Sequence, residues 1–236
     1  MDEKVTGEEI AARLASFRTF GSGSNSVDTL LGGGYKAGKL VEVFGKSNTG
    51  KTQLAMQAAL VAARSGERAL FIDTEGTFRP ERIERMAGAR GWETRGLLRR
   101  IVYVRVTTAA QQMDIVRAIR GKAATSDCRM VVVDTLTRNF TLDYPGGSNL
   151  IKRQGALDVH LSDMARDAVL HGRAYLLTNR VTFAQAGGDI RIGGSTLEQL
   201  VHTSLHLTRE GDAVRASRTD KPRERVTCRL TDSGFE

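Results

Sequence analysis

An eight-residue glycine loop constrains the fold of this chain more than any other feature of its sequence. It fits the phosphate-binding pattern G-x-x-x-x-G-K-[ST] with the run Gly45-Lys46-Ser47-Asn48-Thr49-Gly50-Lys51-Thr52. An apolar stretch, 40–44, precedes the loop and a helix-like stretch, 53–64, follows it, which is the strand–loop–helix context that the pattern requires. We therefore predict that loop N–H groups and the N-terminus of the following helix bind nucleotide phosphates.

Three side chains have the chemistry to complete a nucleotide site. Lys51 is expected to reach the β- and γ-phosphates, and the Thr52 hydroxyl is expected to bind Mg²⁺. Asp134 ends a strongly apolar strand, 130–133, and a carboxylate at that point can hold the same Mg²⁺, often through a water molecule. The alternative for Asp134 is an ordinary strand-end aspartate. ATP and Mg²⁺ are therefore the expected cofactors.

A second carboxylate is a candidate for the base that activates water. Glu75 lies just beyond the strand 70–73, which we expect beside the strand of the phosphate loop. A carboxylate there could polarise the water that attacks the γ-phosphate. Asp73 is a competing candidate, although it lies deeper in the strand. The structural alternative for Glu75 is a solvated glutamate in a turn.

Beyond the loop, strand and helix patterns alternate. We predict strands at 69–73, 101–105, 130–133 and 174–178 and helices at 80–90, 108–120 and 150–171. This alternation is typical of the α/β class, with a mostly parallel, twisted sheet flanked by helices. After residue 195 the pattern changes, and antiparallel C-terminal strands joined by tight turns are predicted. A capping box at Thr6–Glu9 predicts a short helical segment within 1–20, which leaves 21–236 as one main domain.

The charge of the chain favours a polyanionic partner. Its 236 residues carry a formal net charge of +8, which suits nucleic acid, although a generally basic proteome would give the same balance. No apolar run is long enough to span a bilayer and no signal peptide is recognisable, so we expect no membrane association. Cys128 and Cys228 fit no metal or redox spacing and are expected to be free thiols in a reducing cytoplasm.

Two connections, 139–149 and 181–194, show neither helical nor strand periodicity. Each follows a predicted sheet strand, and the ligands of open α/β sheets bind beyond the carboxyl ends of the strands. Long loops inside compact domains are usually functional. We therefore expect both connections to contact a ligand, with ordinary surface loops as the alternative.

A longer set of motifs carries a resemblance to a known family. The central run is Ile72-Asp73-Thr74-Glu75-Gly76-Thr77-Phe78-Arg79-Pro80-Glu81-Arg82, and other matching stretches are Thr49-Gly50-Lys51-Thr52-Gln53, Asp143-Tyr144, Leu177-Thr178-Asn179 and Gly193-Gly194-Ser195. In these motifs the chain resembles the RecA-family strand-exchange recombinases of archaea and eukaryotes, the RadA-like proteins and their paralogues. The resemblance covers nearly everything from about Gly21. It implies a RecA-like P-loop ATPase core with Glu75 as its catalytic carboxylate.

The resemblance also implies roles around the nucleotide and the DNA. Gln53 would lie next to the nucleotide and Arg82 would stack on adenine, because a flat guanidinium suits a π face. The connections 139–149 and 181–194 would face single-stranded DNA. Their candidate contacts are Tyr144, Lys152, Arg153, Phe183 and Arg191. For the two aromatic residues, base stacking and local packing are equally good interpretations.

The sequence departs from the family in features that bear on function. The N-terminal helix-hairpin-helix domain of these recombinases is not expected here, and 139–149 contains no basic residue. Arg180 stands where the family has a glutamine that senses the γ-phosphate, so it would either contact that phosphate or interrupt the coupling of ATP to DNA. Asp220-Lys221-Pro222-Arg223 matches a region that caps the nucleotide of a neighbouring protomer. A solvated basic hairpin and a DNA contact are the alternatives for this segment.

Together these features predict a DNA-stimulated ATPase of the short, RadB-like paralogue type. It would act in homologous recombination and DNA repair in the cytoplasm, associated with the nucleoid. Its expected partners are single-stranded DNA, the main recombinase or another recombination protein, and further copies of itself. The alternative is a nucleotide-gated scaffold or a signalling ATPase of the same fold, with little turnover and no direct role on DNA.

Overall fold

The computed structural model describes residues 6–120, 127–183 and 189–236. Within these ranges the α-helices are α1 (Gly7–Ala15), α2 (Asn25–Leu31), α3 (Lys51–Arg64), α4 (Pro80–Ala89), α5 (Ala109–Ala118), α6 (Arg138–Asp143), α7 (Leu150–His171) and α8 (Gly194–Leu200). The strands are β1 (Thr19–Phe20), β2 (Tyr35–Lys36), β3 (Leu40–Gly45), β4 (Arg68–Asp73), β5 (Ile101–Arg105), β6 (Cys128–Asp134), β7 (Ala174–Asn179), β8 (Val181–Phe183), β9 (Asp189–Arg191), β10 (Thr203–Glu210), β11 (Ala213–Arg218), β12 (Arg225–Thr231) and β13 (Gly234–Phe235). A 3-10 turn at Leu98–Arg100 precedes β5.

A nine-stranded sheet forms the centre of the molecule, in the order β13-β12-β11-β10-β3-β7-β6-β4-β5. The strands from β10 to β5 run parallel, and β11, β12 and β13 continue the sheet in antiparallel pairs. The predicted α/β class, with a mostly parallel sheet and antiparallel C-terminal strands, is confirmed. We call the side on which the parallel strands end the carboxyl edge, and the side on which they begin the amino edge.

Burial on both faces explains why the central strands are almost continuously apolar. In β6, Met130 and Val132 belong to one buried hydrophobic cluster, whereas Val131 and Val133 belong to the other. Helices α2, α3 and α4 contribute to the first cluster, and α5, α6, α7 and α8 contribute to the second. Helices on both faces are the usual solution for a parallel sheet, since neither face is left to solvent.

Two segments that were predicted to be aperiodic contain regular structure. The range 139–149 begins inside α6, where Phe140 is fully buried. The range 181–194 contains the antiparallel hairpin of β8 and β9 and the first residue of α8. Sequence periodicity missed these elements because helices of six residues and strands of three are too short to show a period. Residues 184–188 of the second connection lie outside the described ranges.

No helix in the described part of the chain is both long enough and apolar enough to cross a membrane. Cys128 and Cys228 are free, as predicted, and both are also buried. Burial raises the pKa of the Cys128 thiol to about 11. Neither thiol is therefore exposed as a thiolate at neutral pH, and both act as small core residues.

A buried arginine ties several elements together at the amino edge. Arg173 is 1% exposed, and it donates from Nε to the carbonyl oxygen of Cys128 at 2.9 Å and from Nη2 to that of Ile119 at 3.0 Å. Its remaining charge is matched by an ion pair with the fully buried Asp167. The other carboxylate oxygen of Asp167 accepts from the Tyr175 hydroxyl at 2.6 Å. One ion pair thus joins α5, α7, β6 and β7.

Replacement of Asp167 should reveal how much the fold depends on this pair. Asp167→Asn leaves Arg173 as a buried charge without a counter-ion, so we expect a loss of about 3–5 kcal/mol in the free energy of unfolding. The matched control is Asp163→Asn, which removes a partly exposed partner of Arg117 and Arg120 and should cost less than about 1 kcal/mol. Urea unfolding followed by circular dichroism measures both, and equal losses would contradict the role given to Asp167.

Candidate active site

The phosphate loop lies at the carboxyl edge, where β3 turns into α3. The turn requires a left-handed backbone at Gly50, with φ of 87°, which glycine adopts without strain. A Cβ at this position would lie 2.8 Å from the ring of Phe235, so a larger residue would displace β13. No described side chain caps the start of α3, which leaves its first N–H groups for an anion. A cleft of about 210 Å³ is lined by Asn48, Gly50, Lys51, Thr52 and Gln53.

Lys51 closes the loop with its ammonium group. Nζ donates to the carbonyl oxygens of Gly45 at 2.9 Å and of Lys46 at 2.6 Å. Burial lowers the pKa of Lys51 below its ordinary value, and the nearby carboxylates of Asp134 and Glu75 only partly oppose this shift. Phosphate oxygens are stronger, charged acceptors than peptide carbonyls, so Lys51 is placed to exchange its loop contacts for a phosphate.

Asp134 ends β6 and lies beside Thr52. Its Oδ2 accepts from the Thr52 hydroxyl at 2.8 Å and from the Thr77 hydroxyl at 3.1 Å, and its Oδ1 accepts from Thr178. Burial raises the pKa of Asp134, and the hydrogen bonds from Thr178 and Thr52 oppose that rise. The peptide bond that follows Asp134 is cis.

The residues around Thr52 and Asp134 fit a magnesium ion held together with a nucleotide. A hydroxyl and a carboxylate oxygen face each other there, and hard oxygen ligands of this kind are the ones that Mg²⁺ takes in proteins. Within the described ranges, no group of three or more histidine, cysteine, aspartate or glutamate side chains could hold a metal by itself. Phosphate oxygens and water would therefore complete the coordination, as in other phosphate-loop sites.

Glu75 reaches the same edge by a different route from the one predicted. Its strand, β4, is not beside β3, since β7 and β6 lie between them. The turn after β4 instead brings Glu75 over the ends of those strands, where Oε1 accepts from the Thr135 hydroxyl at 2.7 Å. The expectation was wrong because local patterns do not encode the order of strands in a parallel sheet.

An arginine holds the candidate catalytic carboxylate. Arg180 donates from Nε to Oε1 of Glu75 at 3.0 Å and from Nη2 to Oε2 at 2.7 Å, a two-pronged ion pair. Burial works against ionisation of Glu75, but the hydrogen bonds from Arg180 and Thr135 outweigh it and lower the pKa of Glu75. The partner of Arg180 in this structure is thus the Glu75 carboxylate, and its predicted contact with the γ-phosphate stays a prediction.

Asp73, the competing candidate for the base, is engaged with the backbone of the turn that presents Glu75. Its carboxylate accepts from the N–H groups of Glu75 at 2.8 Å, Gly76 at 2.7 Å and Phe78 at 3.1 Å. Asp73 is also fully buried. An aspartate that bonds the backbone of the next residues is a known turn signal, and it indicates a positioning role here.

Gln53 and Arg82 lie together beside the loop. Arg82 donates from Nε to the side-chain oxygen of Gln53 at 2.8 Å and from Nη1 to the carbonyl oxygen of Asp232 at 3.0 Å. Its guanidinium thus bridges α3, α4 and the turn before β13. The predicted contact of Arg82 with adenine stays a prediction.

The hairpin of β8 and β9 is fixed to β3 and to the phosphate loop by charged contacts. Arg191 donates from Nη1 to Oε2 of the fully buried Glu42 at 2.9 Å, and its side chain is only 14% exposed. On the same hairpin, Asp189 lies 3.3 Å from Nζ of Lys46 and 3.6 Å from Nε2 of His206. Arg191 was predicted to contact DNA, but the buried ion pair gives it an anchoring role instead.

The other predicted DNA contacts differ in exposure. Lys152, in the first turn of α7, is exposed. Tyr144 is partly buried against the hydrophobic core and its carbonyl oxygen accepts from Nη1 of Arg153 at 3.2 Å, which favours the packing interpretation of its ring. Phe183 ends β8, and its side chain lies outside the described residues.

The segment matched to the nucleotide cap forms an exposed turn between β11 and β12. Asp220 pairs with Arg218 at 2.6 Å and Lys221 pairs with Glu224 at 2.9 Å. Pro222 and Arg223 are exposed at the tip. Internal pairing of this kind also suits a solvated hairpin, so a role toward a neighbouring protomer stays a prediction.

Sequence reasoning missed several residues that complete the site. Thr178 and Thr77 donate to Asp134, Thr135 donates to Glu75, and Glu42 and Asp189 anchor the hairpin. The one available signal was a polar residue ending or interrupting an apolar strand, as in Leu177-Thr178 and Val41-Glu42. Such a residue is costly to bury without a partner, so it marks a polar contact.

Comparisons with known proteins agree with this geometry. A family model described as Rad51 matches residues 14–223. The DNA repair and recombination protein RadA of Metallosphaera sedula is 36% identical over 209 residues, which cover 86% of this chain and 64% of that protein. RadA of Ignicoccus hospitalis is 32% identical over 212 residues, or 85% of this chain and 64% of the relative. The meiotic recombination protein DMC1 of Saccharomyces cerevisiae is 34% identical over 229 residues, with coverages of 91% and 68%. The chain thus spans about two thirds of the length of these relatives.

Loss of the arginine should be visible in the titration of Glu75. In Arg180→Gln we expect the pKa of Glu75 to rise, because burial is then opposed mainly by Thr135 and Arg138. Carbon-detected NMR of the labelled carboxyl groups measures it. The control is Arg209→Gln, which removes an exposed arginine bonded to the Gly211 carbonyl. An unchanged Glu75 pKa in both variants would contradict the effect given to the Arg180–Glu75 ion pair.

The same pair predicts a pH dependence of stability. The folded-state pKa of Glu75 lies below its ordinary value of 4.5. The contribution of the pair is therefore fully present above that pH and is lost as the pH falls through the folded-state pKa. Thermal unfolding between neutral pH and pH values below 4.5 should show a shallower acid loss in Arg180→Gln than in the wild type.

Proposed function

The chain belongs to the Rad51 family, and we propose that it is an ATPase that hydrolyses ATP to ADP and phosphate in response to single-stranded DNA. One observation carries the proposal: Lys51, the Thr52–Asp134 pair and Glu75 converge at the carboxyl edge, within a shared network of charges and hydrogen bonds. This is the set of groups that phosphoryl transfer to water requires, namely a cation, a metal-binding pair and a base.

Each residue has a defined part in the proposed reaction. Lys51 leaves the loop carbonyls and neutralises the β- and γ-phosphates. Thr52 and Asp134 would hold Mg²⁺, which would supply further charge neutralisation. Glu75 takes a proton from water as the water oxygen bonds to the γ-phosphorus. The bond between that phosphorus and the bridging oxygen breaks, and ADP keeps the bridging oxygen.

Arg180 is proposed to restrain the base until ATP is in place. A carboxylate held by two guanidinium N–H groups is a poorer base, since its lone pairs are occupied and its pKa is lowered. The γ-phosphate is a strong competitor for the same guanidinium. Transfer of Arg180 from Glu75 to the phosphate would release the base and bring a second cation to the developing charge.

The β8–β9 hairpin is proposed to couple the nucleotide to DNA. Lys46, inside the phosphate loop, faces Asp189 on the hairpin, and Arg191 anchors the hairpin to Glu42 in β3. A change in the conformation of the phosphate loop on nucleotide binding would therefore alter the position of the hairpin through these direct contacts. Lys152 and Arg153 at the start of α7 are the proposed phosphate contacts, and Tyr144 and Phe183 are the aromatic candidates.

In the cell, the proposed role is in homologous recombination and DNA repair, since the RadA relatives are named as DNA repair and recombination proteins. The partners we propose are single-stranded DNA, a recombinase and further copies of this chain. In an assembly of copies, the exposed turn of Asp220, Lys221, Pro222 and Arg223 is the candidate for contact with the nucleotide of a neighbour.

A second candidate function is a nucleotide-gated scaffold with little turnover. The Glu75–Arg180 ion pair favours it, because a base that stays paired would leave ATP bound and intact. Nucleotide would then hold a surface for a protein partner, with no need for hydrolysis. Turnover with and without DNA separates the two functions.

Phosphate release in the presence and absence of single-stranded DNA is the test of the ATPase. We expect stimulation of several-fold in the wild type, and loss of at least about a hundredfold in Glu75→Gln with ATP binding retained, since a general base contributes roughly 10²–10⁴-fold. Arg180→Gln should raise turnover without DNA and reduce the stimulation. A flat, low rate with and without DNA would favour the scaffold, and a slower basal rate in Arg180→Gln would show that Arg180 assists more than it restrains.

Replacement of Asp189 tests the coupling. Asp189→Asn removes the charge that faces Lys46 and His206, so we expect ATP to tighten binding of labelled single-stranded DNA less than in the wild type. Binding measured without nucleotide should change little. Asp212→Asn, an exposed carboxylate in the β10–β11 turn, is the control, and an unchanged effect of ATP in Asp189→Asn would contradict this route.

A further inference from the structure

A basic cleft lies at the amino edge, between α1, the end of α7 and the start of β6. Arg13, Arg18 and Arg129 line it, together with a single carboxylate, Glu67. Arg18 pairs with Glu67, while Arg13 and Arg129 donate to the carbonyl oxygens at the end of α7, at 3.5 and 2.6 Å. The cleft has a volume of about 590 Å³. The ATPase site proposed above uses none of these residues.

A second basic cleft lies beside the first, between the end of α3 and the 3-10 turn before β5. Four arginines line it, Arg64, Arg95, Arg99 and Arg100, with Glu93 as its carboxylate, and its volume is also about 590 Å³. All four arginines are exposed. Arg95 and Arg99 contact no carboxylate of the described residues. Their charges are therefore directed to solvent.

One short turn separates the two clefts, which makes them parts of one surface. Gly66 lines the second cleft and its neighbour Glu67 lines the first. Arg100 donates to the Gly66 carbonyl at 2.6 Å, and Arg18 pairs with Glu67, so arginines from both sides meet at this turn. Seven arginines and two glutamates line the pair of clefts, an excess of five positive charges in a chain of net charge +8.

This surface lies at the amino edge of the sheet, opposite the carboxyl edge that holds the candidate nucleotide site. Glu67 precedes β4, Arg100 precedes β5 and Arg129 is the second residue of β6, so all three lie where parallel strands begin. The phosphate loop, Glu75 and Asp134 lie where parallel strands end. A strand of six residues spans about 20 Å, so one ligand phosphate cannot contact both edges.

The chemistry of the clefts fits a phosphate backbone more closely than exposed bases. Single-strand sites combine cations with exposed aromatic rings on which bases stack. In the clefts Phe20 is buried, Phe17 packs against the core, and the neighbouring Trp92 ring is covered by Arg64 at 6.0 Å and Arg90 at 5.2 Å. Arginine charge without a free aromatic face is the pattern of sequence-independent contact with a double helix.

We propose that these amino-edge clefts bind the phosphate backbone of duplex DNA, as a nucleic-acid surface separate from the single-strand site at the carboxyl edge. The chain would then hold two DNA molecules on opposite edges of one sheet. This inference does not rest on ATP turnover, since duplex binding at the amino edge needs neither Glu75 nor a nucleotide.

The test uses Arg95→Gln with Arg99→Gln in the full chain, because these arginines have no described partner whose loss would disturb the fold. Binding of a short labelled duplex, without nucleotide and over a series of KCl concentrations, is measured by fluorescence anisotropy. We expect about tenfold weaker binding at low salt, and a fall of about two in the slope of log K against log salt, because each lost phosphate contact removes roughly 0.9. Single-strand binding and DNA-stimulated turnover should stay near wild type.

The matched control is Arg209→Gln with Arg229→Gln, which removes the same charge from exposed arginines on β10 and β12. It should leave the duplex affinity and salt slope close to wild type. The proposal is overturned by an unchanged duplex slope in Arg95→Gln/Arg99→Gln, or by an equal loss in the control pair. It is also overturned by an equal loss of single-strand binding, which would mean that the clefts do not select duplex. In Glu75→Gln, duplex binding should persist even if the proposed ATPase activity fails its own test.

Discussion

Parallel alignment of the central strands is the constraint on which the rest of this structure depends. When strands run in one direction, all of their carboxyl ends meet at one edge, and the turns that follow them share a small volume. Here that edge collects the phosphate loop after β3, the Glu75 turn after β4, Asp134 at the end of β6 and Arg180 after β7. Residues far apart in sequence become hydrogen-bonded partners because their strands end at this shared edge, even where another strand lies between them, as β6 does between the strands of Glu75 and Arg180.

The charged side chains at this edge have protein partners that a bound nucleotide would replace. Lys51 is held by loop carbonyls, and Glu75 is held by Arg180. Phosphate oxygens are stronger acceptors than the loop carbonyls that hold Lys51, and they compete with the Glu75 carboxylate for Arg180. The proposed cycle is therefore an exchange of partners among charges that are already in place, and it needs no large movement of the sheet.

The two edges of the sheet differ in how their positive charge is used. At the carboxyl edge, Arg180 and Arg191 are paired with Glu75 and Glu42, which fixes the geometry of the site and its hairpin. At the amino edge, Arg173 is buried and paired, while most arginines of the neighbouring clefts face solvent. Paired arginines stabilise an arrangement, whereas solvent-facing arginines attract a polyanion. The positive charges at the two edges therefore serve different purposes.

The sequence by itself determined the fold class and the phosphate loop, and it identified Lys51, Thr52, Asp134 and Glu75 as candidate site residues. Each of these depends on a local pattern of residues next to one another in the chain. Short elements such as α6 and the β8–β9 hairpin had no period to detect. The strand order, the partner of Arg180, the positioning role of Asp73 and the burial of Arg191 against Glu42 were decided only by the tertiary structure. These are contacts between segments that the chain brings together from a distance, and local periodicity carries no information about which segments will meet.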